Sequence, residues 1–437
     1  SGWRGATAAP ACLNAYHLKP LMTERVLILG GGFAGLTVAQ GLRGKGFAIT
    51  LVDQHNYHLF QPLLYQVATG ELLGEAITTP LRHLLPSYGV SFRLGNVIEI
   101  DLLRCQVHME DGDVLEYDFL FLALGTVTNF FGNKTISQHA LDIKGLEGAE
   151  TTRSRLILAL ERASQSKNAE DRREWLHFVV AGGGATGVEF CAALVELLQN
   201  LVPNEYPELD FREVQVSLVH GGEALLPGFA NNLQKHAATK LRRLGINLLF
   251  GTHVKDYDGQ TIICDSGPPI SARTLIWTAG VAANPSLSSL TVPKGRGGRL
   301  LVDHHLRLLD FPEVFVVGDL AIFTGGDACP QVAPFAMQSA RYAAKFLCAQ
   351  SAHKPLIPPF GYHDPGIMTV LGRLDAVCQI PRWHLRWYGL SAWGLWLGLH
   401  LYRIIGTGNR LRTLLDWSND YIRRRTSVQL LRQGRDD

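Results

Sequence analysis

Apolar runs that end in glycine recur along the chain, and they predict buried β-strands. The first two such runs lie at 25–29 and 177–181, and each leads through a glycine-rich turn into a stretch with helical character, the first near 35–44. Further strands are predicted at 48–52 and 214–219. Continuous apolar runs of this kind are typical of parallel sheets that are covered on both faces. The pattern therefore predicts an α/β fold built from two similar β–α–β units.

The remaining apolar runs extend the two predicted sheets. Runs at 117–124 and 274–279 end in glycine, and a run at 314–317 ends in Gly-Asp. Strand ends of this kind return the chain past a bound ligand. The second helix is predicted to end before Pro203, and a polar loop that contains Pro203 and Pro207 is predicted to follow it.

Both glycine-rich turns have the spacing G-x-G-x-x-G. In such a turn the first glycine permits a tight bend, the second lets the backbone approach a pyrophosphate, and the third lets helix and strand pack closely. The N–H groups at the helix N-terminus bind the anion. Two copies in one chain predict two dinucleotides, a flavin and a nicotinamide that exchange electrons. The copies are Gly30-Gly31-Gly32-Phe33-Ala34-Gly35 and Gly182-Gly183-Gly184-Ala185-Thr186-Gly187.

Residues at the strand ends are candidate ligands for the two cofactors. Asp53 follows the second strand of the first unit, where an acid accepts hydrogen bonds from a ribose. Asp319 can bond the ribityl chain of a flavin or hold a bridging water, and Gly318 precedes it. Gly125 and Gly280 close two further strands. A simple turn is the alternative role for each of these residues.

Composition narrows the class of protein. A chain of 437 residues with 46% hydrophobic residues and 45 glycines fits two or three globular α/β domains, and a net charge of +2 argues against nucleic acid as the main partner. The seven cysteines include no C-x-x-C pair, which indicates reduced thiols and argues against a zinc site. His55 and His58 have a metal-like spacing but no further ligand set, so a structural role is favoured and no metal site is predicted.

The predicted domains are nested, with a nicotinamide domain inserted into a flavin domain. A leader is predicted to be disordered and a C-terminal segment to contact a membrane or a second copy. The bounds are 1–21 for the leader, 22–149 and 299–380 for the FAD-binding domain, 150–298 for the NAD(P)H-binding domain and 381–437 for the C-terminal segment.

The C-terminal segment is rich in tryptophan and arginine. Five of the eight tryptophans lie beyond residue 380, and the segment from Trp383 onward holds nine Arg and four Asp. Its uncharged run between Arg386 and Arg403 is shorter than the ~20 residues of a spanning helix. A second helix places five apolar residues on one face, which predicts a monotopic anchor in one leaflet. A core or dimer-interface helix pair is the alternative. The five residues are Leu411, Leu414, Leu415, Tyr421 and Ile422.

From Arg25 to Arg425 the chain resembles the type II NADH:quinone oxidoreductases, single-subunit FAD proteins of respiratory membranes. The resemblance rests on the glycine loops and on several further segments. These are Asn56–Ala68 (NYHLFQPLLYQVA), Val188-Glu189 after the second loop, Leu225–Phe229 (LLPGF), Val316–Leu320 (VVGDL), Ala336-Met337-Gln338, and a Trp-rich tail with Gly408–Leu411 (GNRL).

The resemblance implies a ping-pong cycle without proton pumping. NADH reduces FAD, and the reduced flavin passes two electrons to a membrane quinone. It implies a homodimer that lies peripherally on the cytoplasmic face of a cell membrane or on the equivalent organellar inner membrane. The implied FAD ligands are Gly30, Gly32, Phe33, Ala34, Gly35, Asp53, Gly125, Gly318, Asp319 and Ala336. The implied NAD(P)H ligands are Gly182, Gly184, Thr186, Gly187, His220 and Gly280.

The resemblance also implies two catalytic residues and shows three departures. Glu189 matches a glutamate that orients the nicotinamide or assists protonation of the quinone, and Gln338 matches one glutamine of the quinone segment. Pro334 and Pro365 replace a glutamine and a lysine of many members, which leaves the identity of the quinone open. His220 replaces a ribose-binding glutamate, so NADH is expected and NADPH stays a second candidate.

Four other functions remain open at this point. One is a reductase in quinone biosynthesis that acts on a demethylated naphthoquinone, and another is a soluble flavoprotein that reduces a protein such as a ferredoxin. A sulfide:quinone reductase would need two cysteines beside the flavin. A flavin-binding protein without catalysis would leave two dinucleotide loops without a purpose.

Overall fold

A computed structural model describes residues 23–324, 329–355 and 357–423, with side chains up to residue 419. The predicted leader at 1–21 and the end of the C-terminal segment lie outside the described residues. The described helices are α1 Phe33–Gly41, α2 Leu64–Ala68, α3 Leu81–Leu84, α4 Lys134–His139, α5 Leu146–Gln165, α6 Ala169–Trp175, α7 Ala185–Glu205, α8 Asn231–Arg243, α9 Ala333–Ser351, α10 Leu390–Arg403 and α11 Thr407–Arg423.

The strands are short and numerous, and the seven strands that the sequence predicted begin and end within two residues of the predicted positions. In chain order they are β1 Arg25–Leu29, β2 Ala48–Asp53, β3 Tyr57–Leu59, β4 Thr78–Pro80, β5 Val90–Leu94, β6 Val97–Asp101, β7 Gln106–Met109, β8 Val114–Glu116, β9 Phe119–Leu122, β10 Thr126–Thr128, β11 Leu141–Asp142, β12 His177–Ala181, β13 Gln215–His220, β14 Asn247–Phe250, β15 Val254–Tyr257, β16 Thr261–Cys264, β17 Ile270–Ser271, β18 Thr274–Trp277, β19 Val281–Ala283, β20 Leu300–Val302, β21 Val314–Val316, β22 Ala321–Phe323, β23 Ile367–Val370, β24 Ala376–Ile380 and β25 Leu385–Tyr388.

The chain divides into two compact units, each assembled from separate stretches of sequence. The first unit comprises the described residues up to His58 together with Pro80–Val127 and Ala282–His363. The second unit comprises Leu59–Thr79, Thr128–Val281 and the described residues from Asp364 onward. Each unit holds one of the two glycine loops.

The first unit is built on a parallel sheet with strand order β21-β9-β1-β2-β5. Its central strands are buried, and Phe121 stacks on Phe315 with ring centroids 4.8 Å apart. Because both faces are covered, the strands are almost continuously apolar. Helix α1 follows the first glycine loop and packs against α9. The predicted α/β fold with parallel strands is confirmed for this unit.

The second unit repeats this plan with strand order β11-β18-β12-β13-β14, again parallel. Helix α7 follows its glycine loop and is longer than predicted. The prediction of a polar loop at Pro203 is wrong, because the helix continues through Pro203 to Glu205. Leu201 and Val202 are buried, and this burial supports the last turn although proline removes one hydrogen bond near the helix end.

The C-terminal stretch of the second unit forms a small antiparallel sheet, β23-β24-β25, followed by the helix pair α10 and α11. Helix α10 packs on this sheet and on α11. Among the described helices, only α7 is long and apolar enough to cross a membrane, and 67% of its most apolar window is buried inside the protein. Helix α7 is therefore accounted for as a core helix.

Candidate functional site

The first glycine loop has the backbone shape that a dinucleotide requires. Gly30 adopts φ +105°, and a Cβ there would overlap the carbonyl oxygen of Ala123. A Cβ at Gly35 would overlap the carbonyl oxygen of Gly30, so strand and helix approach as closely as they do only because both residues are glycine. Gly32 has no heavy atom within 4 Å of its Cβ position, and the first N–H groups of α1 follow it. These N–H groups have no partner inside the helix and suit an anion.

Asp53 closes this loop from the end of β2. Its Oδ2 accepts the N–H of Gly31 at 2.6 Å, and its Oδ1 accepts the N–H of His55 at 2.7 Å. A carboxylate oxygen has a second lone pair, so both oxygens can still accept bonds from ribose hydroxyls. His58 is buried, and its Nδ1 lies 3.0 Å from the carbonyl oxygen of Gly31. Burial lowers the pKa of His58, which fits the predicted structural role.

The other candidate FAD ligands lie in the same unit. A Cβ at Gly318 would lie 3.2 Å from that of Ala34 and 3.4 Å from that of Ala336, so the structure brings these three residues together. Asp319 Oδ2 accepts the hydroxyl of Thr126 at 3.2 Å. Gly125 adopts φ +68° with open space at its Cβ position, and Phe33 packs edge-on against His58. The residues present fit a flavin dinucleotide along this edge of the sheet.

The second glycine loop repeats the same geometry. Gly182 adopts φ +119°, and a Cβ there would lie 2.6 Å from Thr278 Oγ1. A Cβ at Gly187 would overlap the carbonyl oxygen of Gly182, whereas Gly184 faces open space. Thr186 is exposed in the first turn of α7. This loop can therefore bind a second pyrophosphate at the start of α7.

His220 occupies the position in the second unit that Asp53 occupies in the first. Its Nδ1 accepts the N–H of Gly183 at 3.1 Å. Gly280 lies after β18, where its carbonyl oxygen accepts the N–H of Asn129 at 3.1 Å and Phe131 covers its Cα. All six candidate NAD(P)H ligands thus belong to the second unit.

Glu189 lies one turn into α7, and its carboxyl group is surrounded by protein. Oε1 accepts the N–H of Val370 at 3.3 Å. The indole N–H of Trp396 also interacts with this carboxyl group but does not reach hydrogen-bond geometry. Burial outweighs both effects and raises the pKa of Glu189 to about 8. The residue as a whole keeps partial exposure, and the raised pKa keeps its carboxyl group protonated at neutral pH.

Trp396, which interacts with this carboxyl group, packs beside Trp417 with ring centroids 6.0 Å apart, and sequence reasoning missed this arrangement. Trp396 is 1% exposed and stacks on His400 with ring centroids 4.1 Å apart, and Trp417 is 4% exposed. Trp417 Nε1 donates to Gln66 Oε1 at 3.0 Å. The only sequence signal was the spacing of Trp396 and His400, which places both on one face of α10. The C-terminal helices therefore have an inner face that packs on protein.

Gln338 lies in the first unit, and its amide is bonded to backbone. Nε2 donates to the carbonyl oxygen of His363 at 2.8 Å, and Oε1 accepts the N–H of the same residue at 3.0 Å. Pro334 is in the first turn of α9, where a missing N–H costs nothing. One N–H and one lone pair of Gln338 stay available to a ligand.

Six of the seven cysteines lie in the part of the chain that the structure describes, and none of these six forms a disulfide. Cys378 is buried, and burial raises the pKa of its thiol to about 11. Among the same residues there is no cluster of three side chains that could hold a metal ion.

Comparisons with known proteins agree with this geometry. Residues 24–343 match the family described as pyridine nucleotide-disulphide oxidoreductase. The fold is similar to that of NDH2 from Plasmodium falciparum in complex with NADH, with a TM-score of 0.85 and 21% identity over 92% of this chain and 99% of that one.

Two curated relatives place the chain more closely. It is 35% identical to the type II NADH:quinone oxidoreductase Ndh of Mycobacterium tuberculosis, over 92% of this chain and 89% of the relative. It is 28% identical to the mitochondrial internal alternative NAD(P)H-ubiquinone oxidoreductase A1 of Arabidopsis thaliana, over 91% of this chain and 84% of the relative. The chain therefore belongs to the type II NADH:quinone oxidoreductases, within the pyridine nucleotide-disulphide oxidoreductase family.

Proposed function

We propose that this chain is a non-proton-pumping NADH:quinone oxidoreductase that serves a respiratory chain. One observation carries the proposal: two complete dinucleotide loops, each closed by a side chain that accepts an N–H from the loop, Asp53 in one and His220 in the other. FAD, when bound, supplies the two-electron chemistry between a hydride donor and a quinone. NADH is the expected donor.

The chain's own residues position these cofactors. In the first unit Asp53 holds the ribose of the flavin adenosine, Asp319 meets the ribityl chain, and the start of α1 neutralises the pyrophosphate. In the second unit the start of α7 does the same for the nicotinamide nucleotide. The glycines at both loops let backbone N–H groups reach the phosphate oxygens.

Glu189 and Gln338 are the proposed catalytic residues. Because its pKa is near 8, Glu189 carries a proton at neutral pH. It can transfer this proton to a quinone oxygen, or orient the nicotinamide by donating a hydrogen bond to the carboxamide oxygen. Gln338 has one N–H left after its two bonds to His363, and this N–H can donate to a quinone carbonyl.

The C-terminal helices are proposed to anchor the protein in one leaflet. Opposite their buried inner face, α10 and α11 expose large apolar side chains, which is the arrangement of a monotopic anchor. Tyr402 is 74% exposed and Leu415 is 60% exposed. Arginines alternate with these residues and suit anionic headgroups. We also propose that the protein is a homodimer. It would lie on the cytoplasmic face of a cell membrane or on an organellar inner membrane.

Membrane binding is tested by charging the exposed apolar face. We expect the fraction of the double variant Leu411→Glu/Leu415→Glu that floats with phosphatidylglycerol-containing vesicles to be at least tenfold lower than that of the parent. Both leucines are more than half exposed, so the fold stays intact, while the burial of each leucine in lipid is worth about 2 kcal/mol. Leu103→Glu is the control, since Leu103 is 74% exposed in the first unit. Equal flotation of both variants would refute the anchor.

The activity is tested by NADH oxidation with the purified chain and a panel of quinones. The proposal expects parallel lines in double-reciprocal plots, because donor and acceptor react in separate steps. Turnover restricted to a demethylated naphthoquinone would favour the biosynthetic reductase. Turnover only with a ferredoxin would favour the soluble flavoprotein.

A further inference from the structure

Trp396 is an almost fully buried residue of α10 whose indole N–H is not used by the fold. The side chain is 1% exposed, and its Nε1 has no hydrogen-bond partner among the described residues. A buried N–H without a partner costs free energy, so its presence calls for an explanation. The group with which this N–H interacts is the carboxyl group of Glu189. The explanation therefore concerns the proposed catalytic acid.

The ring of Trp396 is held in place from several sides. It stacks on His400 with ring centroids 4.1 Å apart, and its centroid lies 6.0 Å from that of Trp417 and 6.4 Å from that of Tyr65. Helix α10 also packs on β23, and α7 packs on the same strand. The indole N–H is thus fixed relative to the helix that carries Glu189.

The carboxyl group of Glu189 has one backbone donor, and that bond is long. Val370, the last residue of β23, donates its N–H to Oε1 at 3.3 Å. A neutral carboxylic acid is stable with this bond, whereas a buried carboxylate needs further donors. When Glu189 gives its proton to a quinone oxygen, the O–H bond breaks and the negative charge stays on the two carboxyl oxygens. The N–H of Trp396 is the second donor that can meet this charge.

No charged side chain shares this role among the residues that the structure describes. The effects that set the pKa of Glu189 are burial, which is the largest, the N–H of Val370 and the indole of Trp396. Burial lowers the pKa of His400 to about 4, so this ring stays neutral where Glu189 titrates. Strand β23 carries no titratable residue. The titratable and charged side chains on α7 and on the other elements packed on α7 or β23 include Tyr65, Glu196, His220, His236, His400 and Arg403. None of them is among the effects on Glu189.

We propose that Trp396 is a positioning residue: its indole N–H, held by α10, stabilises the carboxylate that Glu189 becomes when it gives up its proton. The contact is long while the acid is neutral and tightens when the charge appears, because hydrogen bonds to an ionised oxygen are shorter and stronger. Trp396 thereby makes Glu189 a stronger acid than burial alone would allow. The inference rests on the proposed role of Glu189 in the NADH:quinone cycle.

The test replaces Trp396 with phenylalanine, which keeps an aromatic ring against His400 and removes the N–H. In the flavin-loaded parent, quinone turnover is expected to fall as the pH rises through about 8. In Trp396→Phe this limb should move up by about one pH unit, because the carboxylate loses a charge-assisted hydrogen bond. Trp417→Phe is the matched control, since Trp417 Nε1 donates to Gln66 Oε1. Its limb should stay at the parent pH.

The pH dependence of Tm is a second readout that needs no substrate. The proton on Glu189 stabilises the folded protein fully below the ordinary pKa of 4.5, and this contribution is lost as the pH rises to about 8. Without the indole N–H the folded-state pKa is higher, so the Tm of Trp396→Phe should keep falling above pH 8, where that of the parent levels off. Trp417→Phe should lower Tm by the same amount at every pH. In a Glu189→Gln background, Trp396→Phe should also have a pH-independent effect.

A limb and a Tm profile that stay at the parent pH in Trp396→Phe would overturn the inference. An equal shift in Trp417→Phe, or a shift that persists in the Glu189→Gln background, would do the same. If Trp396→Phe does not fold, 3-benzothienylalanine at position 396 keeps the bicyclic ring without its N–H, and the same outcomes decide. A parent without the limb would overturn the inference together with the role of Glu189. A parent that reduces no quinone would overturn the proposed function itself, and the Tm profiles would still decide the contact between Trp396 and Glu189.

Discussion

Replacing Gly32 with valine is expected to yield a folded protein that purifies without flavin. No heavy atom lies within 4 Å of the Gly32 Cβ position, and its φ of −73° is an ordinary extended value. A side chain therefore fits the protein but fills the space in which the pyrophosphate meets the backbone. We expect flavin content below about a tenth of the parent value with an unchanged far-UV circular dichroism spectrum.

Gly184→Val is the matched variant in the second unit. Gly184 has φ −74° and the same open space, so the two substitutions differ only in the loop that they block. This variant should retain its flavin, while its kcat/KM for NADH falls at least 100-fold. Loss of flavin in Gly184→Val would reverse the assignment of the two loops to their cofactors. Retention of flavin in Gly32→Val would refute the flavin site at the first loop.

Replacing Glu189 with glutamine is expected to lower quinone turnover by on the order of 100-fold or more, because the proton donor is removed. The pH–rate profile of the parent should fall as the pH rises through about 8, where Glu189 ionises, and the variant should lose this limb. Glu196→Gln is the control, because Glu196 lies two turns further along α7 and accepts the N–H of Arg373. Its turnover should match the parent.

The same substitution should change the pH dependence of stability. The folded protein holds the Glu189 proton up to about pH 8, whereas the unfolded chain releases it near the ordinary value of 4.5. The proton's contribution to stability is therefore complete below about pH 4.5 and is lost as the pH rises toward 8. Glu189→Gln keeps a neutral side chain throughout, so its Tm should exceed that of the parent increasingly between pH 5 and pH 8. An equal Tm difference at all pH values would contradict the raised pKa.

The features predicted correctly from sequence are those that depend on neighbours along the chain. The strand, turn and helix around Gly30 are local, and so is the placement of Asp53 at the end of the next strand. The same holds for Gly182 and His220. The prediction at Pro203 used only the local propensity of proline and was wrong, because burial of the preceding turn overrides that propensity.

The surroundings of the site depend on residues far apart in sequence. Val370 and Trp396 meet Glu189 on α7, and no local pattern predicts these contacts or the raised pKa. The sequence treats the C-terminal tryptophans alike, but Trp396 and Trp417 are buried while Trp383 is 63% exposed. The packing of α10 and α11 on the protein determines which of these tryptophans are buried.

The most direct test of the account is an anaerobic titration of the purified, flavin-loaded protein. Equimolar NADH should bleach the flavin absorption, and subsequent addition of an equimolar short-chain quinone should restore it without any third protein. This result would establish donor, cofactor and acceptor in one cuvette. A flavin that stays oxidised with both NADH and NADPH, or a reduced flavin that a quinone leaves bleached, would contradict the account.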